Sequence, residues 1–226
     1  MKIYQAYHQD VHKEYLLPNT IPLDVRAFPT PMREYDIFKK LRPDGDFGVI
    51  SWKFLGKTWL HEWEDEAREH LKHHEAVMIN PFPALSAVSY NCWSSHTNLI
   101  ETAKDLVDVH QFQKQIAFCL YILGKKSWWD RFFNFIDPML THPGFMKPSG
   151  YSRGPELPQA GFLIERLVNY ILDDVYVWQY SKQHHLDKYG TDAFIKLNAL
   201  KDNPNDWMKI ARFYNLNAVA RIDDQT

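Results

Sequence analysis

Three short apolar segments, separated by helical patterns, constrain the fold of this chain more than any other feature. The segments are Lys2–Tyr7, Phe47–Ser51 and Ala76–Asn80. The helical patterns between them cover Glu34–Leu41 and Trp59–His74. Strands that alternate with helices pair in parallel through right-handed crossovers. The sequence therefore predicts an α/β fold with a mostly parallel central sheet and flanking helices.

The remainder of the chain reads as helices joined by loops. Helical spacing is expected over Leu99–Leu123, Trp128–Leu140, Gln159–Tyr180, Thr191–Leu200 and Asp206–Tyr214. Proline-rich loops are expected over His8–Pro31 and Met146–Pro158, while Leu85–Cys92 fits a strand or a helix. We therefore expect one domain over residues 1–226, with an α/β part at 1–95 and a mainly helical part at 96–226.

Charge and cysteine content exclude several classes of protein. The net charge is −2 and no long basic stripe occurs, which argues against nucleic-acid binding through phosphate neutralisation. Cys92 and Cys119 are isolated, so they indicate neither a disulfide framework nor a zinc site and are typical of a cytoplasmic protein.

The start of the chain is too polar for a signal peptide. Ile116–Leu123 is far shorter than the about 20 apolar residues that span a bilayer, so membrane association is expected to be peripheral at most.

Common catalytic and phosphate-binding motifs are missing from the sequence. It has no glycine-rich dinucleotide or Walker loop and no Gly-x-Ser-x-Gly elbow. His61-Glu62 begins like a zinc-protease motif, but Asp65 stands where the second histidine is required. Glu66 and His70 lie one helical turn apart, a spacing that suits a metal but is more typical of a solvated helix face. The sequence therefore predicts no metal ligands.

Ligands of open α/β sheets bind beyond the carboxyl ends of the strands. In this chain those ends are Tyr7-His8, Ser51-Trp52-Lys53 and Asn80-Pro81-Phe82. A lysine at the end of a central strand can neutralise a phosphate as a point charge. The alternative is that Lys53 is an ordinary surface lysine.

A second candidate site lies in the predicted helix that begins at Gln159. Its apolar residues recur at helical spacing, which places Glu165, Arg166 and Asn169 on the other side of the helix. Burying an adjacent acid and base costs desolvation unless both charges are satisfied. Glu165-Arg166 is therefore either a structural clamp or part of a functional site.

Three segments in a fixed order carry a resemblance to a known family. They are Lys2-Ile3-Tyr4, the stretch Asp46–Phe54, and Gly161–Leu167. Over about residues 1 to 180 the chain resembles bacterial capsular-polysaccharide and lipopolysaccharide glycosyltransferases with a GT-A-like nucleotide-sugar transferase fold. Ser51-Trp52-Lys53-Phe54 departs from the His-Tyr-Arg-Arg type of tetrad in that family and keeps one cation where two are usual.

The resemblance implies an enzyme that transfers a sugar from a nucleotide-sugar to a growing surface polysaccharide. Residues 1–95 would bind the nucleotide and 96–226 the acceptor. Glu165 would act as the catalytic base, and the donor would contact Tyr4, Tyr7, Ser51, Trp52, Lys53 and Arg166. Manganese or magnesium is common in this fold, but the Asp44-Gly45-Asp46 turn precedes its strand and is expected at the wrong end of the sheet. The alternative is a non-catalytic carbohydrate-binding or scaffold domain.

Overall fold

The computed structural model describes residues 1–28, 34–58, 63–79, 98–109, 120–150 and 156–178. The strands are β1 (Lys2–Tyr7), β2 (Ile21–Asp24), β3 (Phe47–Ser51), β4 (Ala76–Ile79), β5 (Ile122–Gly124) and β6 (Val175–Trp178). The α-helices are α1 (Glu34–Leu41), α2 (Phe54–Thr58), α3 (Trp63–His73), α4 (Leu99–Leu106), α5 (Lys126–Ile136) and α6 (Ala160–Leu167). Short 3₁₀-helices cover Asp10–Tyr15, Arg42–Asp44, Asp137–Thr141, Pro143–Met146 and Val168–Tyr170.

The strands of the described part form one sheet in the order β2-β1-β3-β5-β4-β6. β1 pairs in parallel with β2 and β3, and β4 pairs in parallel with β6. β5 lies antiparallel between β3 and β4, so it runs against all the other described strands. The α/β class is therefore confirmed, and the sheet is mixed through one antiparallel strand.

Helices cover both faces of this sheet. Alternate residues of β1 point to opposite faces, so Tyr4 joins one buried cluster and Ile3 the other. Apolar side chains of α1, α4, α5 and α6 fill the Tyr4 face, and those of α2 and α3 fill the Ile3 face. The two clusters give the sheet a core on each side.

Aromatic side chains of α5 anchor the centre of the sheet. The ring of Trp129 stacks on that of Phe47 with centroids 4.2 Å apart, and its indole N–H donates to the Phe47 carbonyl at 3.0 Å. A β-carbon on Gly48 would lie 2.8 Å from Cγ of Leu123, which is its register partner on β5. The glycine of the 46–54 stretch therefore allows β5 to approach β3 closely.

The predicted elements β1, β3 and α1 have the expected bounds, β4 ends one residue earlier at Ile79, and α3 ends one residue earlier at His73. The loop prediction for His8–Pro31 is wrong at β2, although Pro22 suits this edge strand because an edge strand leaves one side of its backbone unpaired. The Met146–Pro158 segment is largely irregular where it is described.

Two helix predictions in the second half of the chain are wrong. Within Leu99–Leu123, an α-helix covers Leu99–Leu106 and the last two residues belong to β5, while residues 110–119 lie outside the described part of the chain. Within the predicted helix Gln159–Tyr180, the α-helix ends at Leu167. A 3₁₀ turn and then strand β6 follow it. The turn before β6 places Asp174 at φ 58, a left-handed conformation that Asp adopts more readily than most residues. In both cases the wrong prediction extended a helical pattern through a segment whose apolar residues pair in the sheet.

Several predictions fall outside the described residues. These are the Leu85–Cys92 element, the strand end at Asn80-Pro81-Phe82, the His61-Glu62 pair, the two terminal helices and the boundary between residues 95 and 96. Within the described ranges, no helix combines the length and apolar character needed to cross a bilayer.

Candidate functional site

The strand order creates a switch point at β1. The chain passes from β1 to β2 on one side, then crosses back to β3 on the other side of β1. All three strands are parallel, so their carboxyl ends, which carry Tyr7, Asp24 and Ser51, meet at one edge. We name this edge the β1/β3 crevice, because crossovers that diverge in this way leave a ligand-binding crevice beyond the strands.

An aromatic and basic cluster occupies the β1/β3 crevice. The backbone N–H of Trp52 donates to the Ala6 carbonyl at 2.9 Å, which fixes Trp52 directly beyond β3. The imidazole of His12 stacks on the Trp52 ring at 3.7 Å between centroids and 11° between planes. The His8 ring approaches Trp52 at 5.9 Å, and Nζ of Lys53 lies 5.1 Å from the centre of the Trp52 ring.

Gln5 holds the two sides of the crevice together. Its side chain is fully buried within β1. Nε2 donates to the carbonyls of Tyr15 at 3.0 Å and Ser51 at 3.3 Å, while Oε1 accepts from Leu17 N at 2.7 Å and Thr20 Oγ1 at 2.9 Å. One buried amide therefore ties the segment after the 3₁₀-helix Asp10–Tyr15 to the end of β3.

Two further predicted residues lie at this edge. Ser51 Oγ is 2.9 Å from the Tyr121 hydroxyl and accepts from the Lys53 backbone N–H at 3.2 Å, which ties the end of β3 to the start of β5. Tyr7 is 8% exposed, and Nζ of Lys13 lies 5.5 Å from its ring centre. The fold therefore brings four of the predicted donor contacts to one edge of the sheet: Tyr7, Ser51, Trp52 and Lys53.

The two histidines in the crevice are disposed to stay neutral. Burial lowers the pKa of His8, with further contributions from His12 and Lys53. Burial also lowers the pKa of His12, and Lys53 adds to that effect. His12 is 6% exposed, and its buried Nδ1 has no hydrogen-bond partner among the described residues.

Acidic residues at this edge are matched by their own cations. Asp10 binds Lys13 at 2.8 Å and Arg26 at 3.2 Å, and Arg26 also pairs with Asp24. The Arg26 hydrogen bonds lower the pKa of Asp24 to about 2. These two carboxylates are therefore engaged in ion pairs and do not form a ready metal site.

Tyr4 does not join the crevice cluster. It is 8% exposed within the core, and its hydroxyl donates to Asp44, at the amino end of β3. Burial, followed by the hydrogen bond to Asp44, raises the pKa of Tyr4 to about 12. Asp46 accepts from the Lys126 backbone N–H at 2.8 Å. The acidic turn thus joins elements at the edge of the sheet opposite the crevice.

The Glu165-Arg166 pair lies in the last turn of α6. Arg166 Nη1 donates to the Phe162 carbonyl at 2.8 Å and to Glu165 Oε2 at 3.1 Å. The Arg166 side chain is 5% exposed and that of Glu165 is 25% exposed. The prediction that Arg166 and Asn169 face away from the apolar side is wrong, because both are buried. The described hydrogen bonds hold the pair to its own helix and do not connect it with the crevice.

The sequence pattern indicated His8 only as a strand end and did not point to Gln5 or His12. The available signal was weak: a glutamine interrupts an apolar strand, and two histidines follow that strand four residues apart. Among the described residues, no group of three or more His, Cys, Asp or Glu side chains is placed to hold a metal ion. No protein-family model, no curated protein and no solved structure matches this chain.

Proposed function

We propose that this protein is a glycosyltransferase that takes its sugar from a nucleotide-sugar donor bound in the β1/β3 crevice. The observation that carries the proposal is the cluster of His8, His12, Trp52 and Lys53 at the switch point of the sheet. Aromatic rings provide flat apolar surface for a base or a sugar, and a lysine provides charge for a diphosphate. The resemblance of three segments to surface-polysaccharide glycosyltransferases supplies the reaction.

The chemistry of the proposed reaction assigns separate tasks to these residues. The leaving nucleoside diphosphate carries negative charge that must be stabilised as the glycosidic bond breaks. Lys53 would supply that charge, and Trp52 would bind the base or the sugar. The acceptor hydroxyl must be positioned and deprotonated. The resemblance makes Glu165 our candidate base; a quarter of its side chain is exposed, and the hydrogen bond described for that side chain lies within α6 and not at the crevice. Arg166 would assist through its contact with Glu165.

We further propose that the protein acts in the cytoplasm on surface-polysaccharide or lipopolysaccharide precursors, at the inner face of the membrane. The support is compositional: the two cysteines are isolated in sequence, which is typical of a reducing compartment. A requirement for manganese or magnesium is part of the test described below. The described carboxylates at the crevice do not fit a metal site, since Asp10 and Asp24 are already paired with cations.

A non-catalytic carbohydrate-binding or scaffold domain is the second candidate. The observation that favours it is the arrangement of Arg166, which is almost fully buried and bonded within α6. A guanidinium held in this way stabilises a helix end without contacting a ligand. In this case the crevice would still bind a sugar or nucleotide, but no transfer would follow.

A donor screen separates these candidates. Purified protein is incubated with a panel of nucleotide-sugars, with and without manganese or magnesium, and release of nucleoside diphosphate is measured. A bound donor at about a hundredfold its dissociation constant adds about 2.7 kcal/mol to stability, which a thermal shift detects. Binding with turnover supports the transferase, binding without turnover supports the scaffold, and the absence of both contradicts the proposal.

Variants then test the two assigned roles. Lys53→Ala is expected to weaken donor binding, whereas Lys72→Ala, on the exposed face of α3, is expected to leave it unchanged. Glu165→Gln is expected to retain donor binding and lose transfer. If Glu165→Gln retains full transfer, its role as a base is wrong; if Lys53→Ala binds donor like the unaltered protein, the crevice assignment is wrong.

A further inference from the structure

The β1/β3 crevice brings two imidazoles and an ammonium group around one indole ring. The His8 and His12 rings are 4.4 Å apart and inclined at 74°, and both approach Trp52. Lys53 follows Trp52 directly and places its ammonium group against the same ring. Stacking on Trp52 holds the His12 ring in place, whereas His8, which follows β1, is exposed.

The described acids on the neighbouring elements are paired with cations of their own. On the 3₁₀-helix Asp10–Tyr15 and on β2, the acids Asp10 and Asp24 pair with Lys13 and Arg26. The Tyr15 hydroxyl interacts with its neighbour Glu14, which raises the pKa of Tyr15. Among the described residues, in addition to burial, His12 lowers the pKa of His8 and Lys53 lowers the pKa of both histidines.

We propose that His8 and His12, together with Lys53, form a binding site for the diphosphate group of the donor, and that the site takes up a proton when this anion binds. The nature of the anion rests on the proposed function. The proton comes from the buffer and adds to an imidazole nitrogen, so that no bond in the ligand is broken. Donor affinity consequently increases as the pH falls.

The direction of this effect follows from linkage. Without an anion, the partial burial of His8 lowers its pKa, and His12 and Lys53 add to that effect, so the imidazole is neutral at neutral pH. A bound diphosphate places negative charge beside the ring and raises that pKa, because an opposite charge favours the charged form. Between the two pKa values the complex holds one more proton than the free protein. Each pH unit in that interval then changes the affinity by up to about tenfold.

The unpartnered Nδ1 of His12 is a second observation that points to a ligand. This buried atom has no hydrogen-bond partner among the described residues, although buried polar atoms in native proteins are usually paired. Leaving such an atom unpaired costs about 1–3 kcal/mol. A small shift of the ring on ligand binding would give Nδ1 a phosphate oxygen to bind, which favours the bound state.

The test measures proton uptake directly by titration calorimetry with UDP-glucose and GDP-mannose over about pH 5 to 8, where histidines change charge. Each titration is repeated in two buffers that differ in ionisation enthalpy. Both phosphates of a nucleotide-sugar are diesters, so they lack the ionisation near about pH 6 of a terminal phosphate. Any proton that is taken up on binding is therefore bound by the protein and not by the ligand.

The expected result is uptake of a substantial fraction of a proton, with affinity that rises several-fold per pH unit towards acid. His8→Gln should abolish most of the uptake and flatten the pH profile, whereas His73→Gln, an exposed histidine at the amino edge of the sheet, should change neither. His12→Gln provides a second variant, and thermal unfolding verifies that each variant is folded.

Three results would contradict either the proton-coupled anion site or the proposed function, and the measurements distinguish the two. Binding without proton uptake, or with uptake unchanged in both His8→Gln and His12→Gln, refutes the proton-coupled site and leaves the proposed function standing. Failure of every nucleotide-sugar in the donor screen to bind refutes the proposed function. In that case, a histidine titration by NMR in sodium sulfate and sodium chloride at equal ionic strength decides whether the two histidines bind an anion at all. An unchanged His8 pKa in sulfate would end the proposal.

Discussion

Replacement of Gln5 by leucine tests whether one buried amide holds the β1/β3 crevice together. The substitution introduces an apolar side chain of similar size and removes four hydrogen bonds, to Tyr15, Ser51, Leu17 and Thr20. Each intramolecular hydrogen bond contributes about 1 kcal/mol net, so the loss should be about 4 kcal/mol in the free energy of unfolding. For a protein of this size that corresponds to a fall of about 8–16 °C in Tm.

Gln159→Leu is the matched control for this experiment. Gln159 is also fully buried, but its side chain makes one described hydrogen bond, to Thr102 Oγ1 at 3.2 Å. Its Oε1 is already unpaired among the described residues, so the expected loss is at most about 1 kcal/mol. Urea unfolding of both variants, followed by far-UV circular dichroism, gives the two free energies.

A Gln5→Leu variant that is several kcal/mol less stable than Gln159→Leu supports the bridging role of the amide. If the two variants lose equal stability, or if Gln5→Leu is as stable as the unaltered protein, the reasoning from the four contacts is wrong. A change in the urea m-value would instead indicate that the segment after β1 has become disordered in the native state.

Three further predictions concern the rest of the fold. Burial and Asp44 raise the pKa of Tyr4 from its usual 10.0 to about 12, so the stability linked to this hydroxyl is complete below about pH 10 and is lost towards about pH 12; Tyr4→Phe should remove this part of the alkaline unfolding profile. Gly48→Ala should cost about 1–3 kcal/mol in urea unfolding, because Leu123 must move away from the new β-carbon, and an unchanged stability would contradict the close approach of β5. Trp129→Phe removes the indole N–H that donates to the Phe47 carbonyl and should cost about 1 kcal/mol in urea unfolding, and an unchanged stability would show that this contact contributes little.

Segments with a clear apolar run between turn residues were predictable from the sequence. β1, β3 and α1 have the predicted bounds because each follows a strand or helix pattern that ends at polar or turn residues. β5 and β6 were not predictable in this way. Each is short, and each follows a helical pattern closely enough to look like its continuation. Pairing with β4, which lies between them, decides their conformation, and that contact is invisible in the local sequence.

The candidate site was predictable in part, since topology alone brings the ends of parallel strands together. Lys53 and Trp52 were found because they follow a recognisable strand. The stacking of His12 on Trp52 depends on the fold of the segment between β1 and β2, which the sequence indicated only as a loop. The burial of Arg166 depends on how α6 packs in the core, and helical periodicity had placed that residue on the opposite side.

The most direct test of the account is equilibrium binding of nucleotide-sugars to the unaltered protein and to Lys53→Ala. We expect at least one donor in the panel to bind and Lys53→Ala to weaken its binding about tenfold or more, since a charged hydrogen bond contributes about 1.5–3 kcal/mol. Lys72→Ala should bind that donor like the unaltered protein. Failure of every donor to bind, or equal affinity in the two lysine variants, would contradict the assignment of the β1/β3 crevice as a donor site.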